Sequence, residues 1–292
     1  MEIRDFQLHR PRSLAEACAL GARLGEAARY CAGGTELIVD FRARRDGADH
    51  LISLREVPGL ATIAVQDDDL RIGAMVSIAE IAESPLVAAR FPALGLAARL
   101  MAGAQIRAQA TIGGNFCRAV SCADTPPTCI AGEARLAMAS AEGERQLAAE
   151  DFFTGPRQTV LRPGEIVTAI LLPAQPVGSG ADYQRFTLRA GQALAVAAVA
   201  ARLVLVRGVI TEARLCLGAV APTPLLVPAA AAILERKRPS EALFAEAAAA
   251  AAAAARPICD LRGSDEYRRD LVRVLARRAL AMAAARAQEA GR

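Results

Sequence analysis

Two pairs of adjacent glycines, far apart in the chain, are the residues of this sequence best suited to bind a charged ligand. They occur in residues 32–36 (AGGTE) and residues 111–115 (TIGGN), and each pair has a threonine close by. Glycine has no Cβ, so its backbone N–H can come close to a phosphate oxygen, and amides at the start of a helix lack intrahelical partners. The two segments therefore predict backbone binding of a diphosphate.

Either glycine pair alone is more typical of an ordinary tight turn. Gly-Gly is a common turn dipeptide, and neither segment has the Gly-x-Gly-x-x-Gly spacing of the Rossmann motif. Two segments of matching composition in separate parts of the chain favour a ligand that lies between two lobes.

Asp124 follows the second glycine pair and precedes the dipeptide Pro126-Pro127. Its carboxylate is unsuited to phosphate but well suited to accept a hydrogen bond from a sugar hydroxyl. An Asx turn or a helix cap before the prolines explains the residue equally well. Both interpretations stay open on local grounds.

The scarcity of lysine and histidine excludes several chemistries. Lys237 is the only lysine, and His9 and His50 are the only histidines. The chain therefore has no Gly-Lys-Ser/Thr phosphate-binding loop, and a Schiff-base lysine, a histidine-based triad and a multi-histidine metal site are all disfavoured. Aromatic residues make up only 4% of the chain, which argues against stacking on single-stranded nucleic acid. We predict no catalytic acid–base residue and no metal site.

Seven cysteines without regular spacing are typical of free thiols in a reducing compartment. Three of them, Cys117, Cys122 and Cys129, suggest an iron–sulfur cluster but lack a fourth ligand, so small thiols beside the second glycine pair are the favoured interpretation. Residues 1–5 (MEIRD) carry charges instead of an apolar signal sequence, and the most apolar run, residues 193–201, is far shorter than the roughly 20 residues of a membrane helix. We expect a cytoplasmic protein without a transmembrane segment.

The chain length of 292 residues allows roughly two domains at about 150 residues each. Residues 1–56 alternate strand and helix signals and predict a small parallel α/β lobe. Residues 57–176 predict a strand-rich lobe. The Pro- and Gly-rich residues 175–180 are the best linker candidate, and residues 177–292 predict strands followed by helices.

Helix signals position the glycine pairs. Serine and glutamate three residues apart form capping boxes at Ser13 and Ser77, which predict helices through about Leu24 and about Met101. The stretch from 111 to 127 is rich in Gly, Asn and Pro, and we expect the second glycine pair to lie in a loop there.

Taken together, these motifs resemble the FAD-binding (medium) subunits of molybdenum hydroxylases, the family that includes xanthine dehydrogenases and aerobic carbon monoxide dehydrogenase. The resemblance rests on residues 32–36, 110–115 and 124–127 in this order, and it extends over essentially the whole chain. It implies an α+β protein, with a two-lobed FAD-binding module of the vanillyl-alcohol-oxidase type over residues 1–176 and a smaller α+β domain over residues 177–292. The residues that it implies at the FAD are Ala32, Gly33, Gly34, Thr35, Glu36, Met101, Ala110, Thr111, Ile112, Gly113, Gly114, Asn115, Asp124, Val167 and Arg185.

The resemblance also implies a role for parts of this set. The two glycine segments would line the diphosphate, and Asp124 would hold a sugar hydroxyl. Met101 and Val167 would lie near the flavin ring, and Arg185 would be a basic residue near the flavin.

The function implied is electron transfer. A large subunit with a molybdenum cofactor would hydroxylate the substrate, a small subunit would carry two-iron–two-sulfur clusters, and the flavin of this chain would pass electrons to an external acceptor, the whole forming a dimer of heterotrimers. A stand-alone FAD-dependent oxidoreductase of the same fold and a scaffold subunit without FAD are the alternatives.

Overall fold

The computed structural model describes residues 5–291, so residues 1–4 of the charged N-terminal segment and residue 292 lie outside the described residues. Within this range the chain begins with a small α/β lobe. Its strands are β1 (Gln7–His9), β2 (Ala28–Cys31) and β3 (His50–Ser53), and its helices are α1 (Leu14–Leu24) and α2 (Leu37–Arg42). The strands pair in the order β1-β3-β2, and both pairings are parallel, as predicted.

Side chains at the ends of these elements fix their positions. Helix α1 begins where the sequence predicts because Ser13 Oγ accepts a hydrogen bond from the Glu16 amide at 3.1 Å. The Tyr30 hydroxyl on β2 lies 3.2 Å from the Ala17 carbonyl oxygen and 3.1 Å from that of Gly164. Tyr30 thereby ties the strand that precedes the first glycine pair to α1 and to the second lobe.

An antiparallel sheet forms the second lobe. In the described chain its strand order is β4-β5-β10-β6-β7. The strands are β4 (Ile63–Gln66), β5 (Asp69–Gly73), β6 (Arg135–Ser140), β7 (Gly143–Ala148) and β10 (Ile166–Leu172), and a small ribbon of β8 (Phe153–Gly155) and β9 (Gln158–Thr159) lies beside it. The strand-rich second lobe is therefore confirmed.

Short helices connect β5 to β6. They are α3 (Ile78–Glu83), α4 (Pro85–Arg90), α5 (Pro92–Leu100), α6 (Ala104–Gln109), α7 (Ile112–Cys117) and α8 (Thr125–Ala131). The helical stretch expected from Ser77 to Met101 is divided at Pro85 and Pro92, because proline lacks the N–H that would continue a helix and fits its first turn instead.

The stretch from 111 to 127 is not the loop that its composition suggests, because it contains α7 and α8. Thr111 caps α7, with its Oγ1 accepting a hydrogen bond from the Gly114 amide at 3.1 Å. Asp124 is the residue before α8, but its side chain makes no capping hydrogen bond there. The cap interpretation of Asp124 is therefore wrong.

The C-terminal part packs helices on a second antiparallel sheet. Its described strands have the order β11-β12-β13-β14. The elements are β11 (Ser179–Phe186), β12 (Ala197–Val206), β13 (Val209–Gly218), β14 (Leu225–Leu226), α9 (Pro228–Leu234), α10 (Glu241–Ala254) and α11 (Asp265–Ala290). Helix α11 lies so close to β11 that a Cβ at Gly180 would be 2.2 Å from the Ala283 carbonyl oxygen, so this crossing requires glycine.

The central strand of this sheet is buried on both faces. On β12, Ala197, Val199 and Ala201 pack into the core formed with α10 and α11, whereas Ala198 and Ala200 pack into the core of the first domain. The sheet therefore packs with one face against the first domain and with the other against the helices of the C-terminal domain. No helix among the described residues is long and apolar enough to cross a membrane.

Candidate functional site

The first glycine pair forms a bend between β2 and α2 whose amides are free. Gly34 has φ 71°, a conformation that favours glycine. The backbone N–H groups of residues 33–36 donate a hydrogen bond to no described residue. Neighbouring unpaired amides of this kind form a binding site for an anion.

The first bend lies directly against the residues that precede the second glycine pair. A Cβ at Gly33 would be 1.9 Å from the Gln109 carbonyl oxygen and 3.2 Å from the Cα of Ala110. Any side chain at Gly33 would therefore separate the two segments. The two glycine pairs converge, as the prediction of a shared ligand requires.

The second segment offers side-chain donors in place of backbone amides. The amides of Ile112 and Gly113 bond the carbonyls of Val76 and Ala74, at 3.1 and 2.9 Å. Asn115 Oδ1 accepts a hydrogen bond from the Thr125 hydroxyl at 2.7 Å, and the Asn115 NH₂ group has no partner among the described residues. This NH₂ group is the donor that the second segment can present to a ligand.

The two glycines of the second segment differ in their surroundings. A Cβ at Gly113 would lie 2.7 Å from the Ala74 carbonyl oxygen, so this glycine is required for packing. A Cβ at Gly114 would meet only Thr111 Oγ1 at 3.0 Å and Ala32 Cβ at 4.0 Å. Gly114 therefore borders the space between the two segments.

That space belongs to a cavity of about 540 Å³ between the two lobes, a volume typical of small-molecule sites. The two glycine segments form part of its lining. The lining also contains the apolar residues Met101, Ile106, Leu161, Ile166 and Val167. The cavity can thus accept a ligand that has both a charged group and an apolar group.

Asp124 lines the cavity and is held from behind by the C-terminal sheet. Arg185 Nη1 lies 2.9 Å from both carboxylate oxygens, and the Tyr183 hydroxyl donates to Oδ1 at 2.7 Å. Burial raises the pKa of Asp124, and the Arg185 guanidinium and the Tyr183 hydroxyl act in the opposite direction. The Arg185 side chain itself does not line the cavity.

Glu165 holds in place the loop before β10, which contributes Leu161 to the cavity lining. Arg145 donates to it twice, with Nε–Oε1 and Nη2–Oε2 distances of 2.6 and 2.8 Å, and the Arg162 amide donates to Oε2 at 2.8 Å. The Arg145 hydrogen bonds lower the pKa of Glu165 in spite of its burial. The loop before β10 is thereby held against the cavity.

Comparison with known proteins agrees with this geometry. Residues 4–175 match the family described as the FAD binding domain in molybdopterin dehydrogenase, and residues 182–283 match the CO dehydrogenase flavoprotein C-terminal domain. The chain belongs to this flavoprotein family. The expected family and the α+β fold are both confirmed.

Members of the flavoprotein family match along the whole chain. The carbon monoxide dehydrogenase medium chain of Afipia carboxidovorans is 36% identical over 284 residues, which cover 97% of this chain and 98% of that protein. The nicotine 6-hydroxylase medium subunit of Paenarthrobacter nicotinovorans is 32% identical over 98% of this chain and 100% of that protein. The solved carbon monoxide dehydrogenase of Hydrogenophaga pseudoflava matches with a TM-score of 0.95 and 35% identity, over 98% of this chain and 99% of that chain.

All but two of the residues that the family resemblance implied line the cavity. The exceptions are Ile112, which is fully buried in the core of the first domain, and Arg185, which lies behind Asp124. Ile112 stands between two residues of the motif, but its side chain packs into the hydrophobic core.

Sequence reasoning missed Arg118. This residue lines the cavity, and its Nε donates a hydrogen bond to Glu36 Oε2 at 3.2 Å, while its Nη2 forms an ion pair with Asp40 Oδ2 at 2.6 Å. It therefore links the end of α7 to the first bend and to α2, and it partly balances the acidic groups beside the free amides. A single arginine between the glycine pair and Asp124 was the only available signal.

The seven cysteines are free thiols in different surroundings. Cys117 and Cys122 line the cavity and Cys129 is buried on α8, where burial raises its pKa to about 12. No group of three or more metal-ligating side chains occurs among residues 5–291.

Proposed function

We propose that the cavity binds FAD and that this chain is the electron-transfer subunit of a molybdenum-dependent dehydrogenase. The observation that carries the proposal is the convergence of the two glycine segments, with free amides at residues 33–36 on one side and the Asn115 NH₂ group on the other. A diphosphate needs several such donors within a short distance. The apolar residues that line the same cavity suit a flavin ring.

The residues present fit this cofactor. Gly34, Thr35 and Glu36 would donate amides to the diphosphate, and Asp124 would accept a sugar hydroxyl. Met101 and Val167 would pack against the ring system. When bound, FAD supplies a group that exchanges electrons one or two at a time. The protein's own residues bind it, orient it and exclude water.

Electrons would reach the flavin from two-iron–two-sulfur clusters on a small subunit and leave to an external acceptor. Hydroxylation would occur at a molybdenum cofactor on a large subunit. We propose a dimer of such heterotrimers in the cytoplasm, where the seven free thiols would stay reduced.

The test is to purify the full chain, alone and together with co-expressed neighbouring subunits. We expect a yellow protein that releases FAD, and not FMN, on denaturation, and that carries molybdenum and iron only when its partners co-purify. A colourless, folded chain would support a scaffold role. Rapid turnover of an organic substrate by the isolated chain would support a stand-alone oxidoreductase, and either result would refute the proposal.

A further inference from the structure

Asp124 is the only member of a buried three-residue cluster that faces the cavity. The cluster consists of Asp124 and two residues of β11, Tyr183 and Arg185. The Asp124 and Arg185 side chains are 7% and 6% exposed, and Tyr183 is 1% exposed. Arg185 Nη2 also donates to the Leu100 carbonyl at the end of α5. The cluster therefore joins α5, α8 and the C-terminal sheet at one point on the cavity wall.

The hydrogen bonds of the cluster leave room for one ligand group. A carboxylate has about four acceptor positions. Oδ1 accepts from Tyr183 and from Arg185, and Oδ2 accepts from Arg185. A single acceptor position on Oδ2 is therefore left over, and Asp124 lines the cavity whereas its two partners do not.

The electrostatics explain why the carboxylate needs both partners. A buried, unpaired carboxylate loses its charge because desolvation raises its pKa. Arg185 supplies the compensating charge. Burial and the Asp124 charge raise the pKa of Tyr183 well above its usual value, so this phenol remains a hydrogen-bond donor. The other titratable group near Asp124 is the Cys122 thiol, whose pKa is itself raised, mainly by burial.

We propose that Arg185 and Tyr183 are positioning residues, which hold the Asp124 carboxylate in one orientation so that its Oδ2 accepts a sugar hydroxyl of the bound FAD. The inference rests on the proposed function. It assigns Arg185 a role different from the one expected from the sequence, because the guanidinium acts through Asp124 rather than beside the flavin. It also makes the C-terminal domain part of the cofactor site.

The experiment compares variants of the full chain that break contacts across the same domain interface. Arg185→Gln removes the cation behind Asp124. Arg214→Gln is the matched control, because Arg214 on β13 bonds Glu150 of the first domain at 2.6 Å and does not line the cavity. FAD is titrated into FAD-depleted protein, and the Kd is read from the change in flavin fluorescence.

We expect Arg185→Gln to weaken FAD binding by about 10- to 100-fold, the range for hydrogen bonds to charged groups. Arg214→Gln should stay within about twofold of the wild type. Tyr183→Phe, which is nearly isosteric and keeps the fold even where Arg185→Gln does not, should weaken binding by about 3- to 10-fold. Tyr267→Phe on α11 is the control for the loss of a hydroxyl, since Tyr267 is 43% exposed.

A double-mutant cycle separates positioning from a general structural role. If Tyr183 acts through Asp124, Tyr183→Phe has little further effect on Kd in an Asp124→Ala background. An equal effect in both backgrounds, or an unchanged Kd in Tyr183→Phe, would overturn the inference while leaving the proposed function intact. A wild-type chain that binds no FAD would overturn both.

Discussion

Substitution of Gly114 by valine is expected to weaken FAD binding strongly while leaving the protein folded. A Cβ at this position meets only Thr111 Oγ1 at 3.0 Å and Ala32 Cβ at 4.0 Å. The branched side chain would therefore extend into the space between the two glycine segments. We propose that this space holds the diphosphate, so the valine methyl groups and a phosphate oxygen would compete for the same volume.

The magnitude follows from the donors that surround this space. A diphosphate displaced from it loses at least two charge-assisted hydrogen bonds from the amides of residues 33–36 or from Asn115. At about 1.5–3 kcal/mol each, the loss is about 3–6 kcal/mol, which corresponds to roughly a 10²- to 10⁴-fold increase in Kd. The free energy of unfolding should change by less than about 1 kcal/mol. Valine has a better helix propensity than glycine, and Thr111 Oγ1 must shift only slightly to make room for it.

The assay combines FAD titration with chemical unfolding of the FAD-free protein. Gly113→Ala is the internal control, because its Cβ would lie 2.7 Å from the Ala74 carbonyl oxygen and should destabilise the fold by about 1–3 kcal/mol. A Kd within about threefold of the wild type for Gly114→Val would refute the placement of the diphosphate. A loss of stability as large as that of Gly113→Ala would show that the effect is one of folding.

Three further substitutions test other parts of the molecule. Glu165→Gln should lower the free energy of unfolding by about 1–2 kcal/mol at pH 7 by weakening the Arg145 contact. Because the folded-state pKa of Glu165 is lowered, this stability is present above the unfolded-state pKa of about 4.3 and is lost as the pH falls through the folded-state value, so the difference from wild type should vanish at low pH in urea unfolding. Asn115→Asp should weaken FAD binding by at least about tenfold in a fluorescence titration, since it replaces a donor by a negative charge. Gly180→Ala should lower stability by about 1–3 kcal/mol through overlap with the Ala283 carbonyl, with unchanged FAD affinity of the folded fraction.

Each of these has a matched comparison. A stability difference for Glu165→Gln that does not decrease as the pH falls below about 4.3 would contradict the ion-pair argument. Asn115→Ala separates loss of the donor from the added charge, and equal affinities of the two Asn115 variants would exclude a nearby anion. Gly47→Ala, where a Cβ meets nothing within 4 Å, is the control for Gly180→Ala; equal stabilities of these two alanine variants would refute the close crossing of α11 and β11.

Local sequence signals predicted helices and strands more accurately than they predicted tertiary contacts. The cap at Ser13 and the strand at residues 166–172 were correct because they depend on neighbouring residues and on an uninterrupted apolar run. Helix α7 was not predicted, because Gly113 and Gly114 have poor helix propensity and only the Thr111 cap and the packing on Ala74 allow the helix to form.

The parts of the candidate site that lie within one short segment of the chain were predictable from the sequence. The glycine pairs were found from composition alone, but the sequence does not show that the amides of the second pair are already used while those of the first are free. That distinction depends on Ala74, whose carbonyl lies in the strand-to-helix connection before α3 and accepts from the Gly113 amide, and on Thr111, whose Oγ1 accepts from the Gly114 amide. In the same way, the pairing of Arg185 with Asp124 depends on two domains meeting, so spacing along the chain carries no sign of it.

The shared sheet gives a physical reason for placing a ligand-orienting pair in the second domain. Asp124 lies at the start of α8, outside any strand, and its side chain makes no capping hydrogen bond to that helix, so other contacts must hold its carboxylate. Tyr183 and Arg185 lie on β11, which pairs along its whole length with β12, a strand buried between two cores. The position of a side chain on β11 is therefore fixed by the packing of both domains. The proposed cofactor site therefore extends beyond residues 4–175, the region matched by the FAD-binding family, because the residues that hold the Asp124 carboxylate come from the next domain.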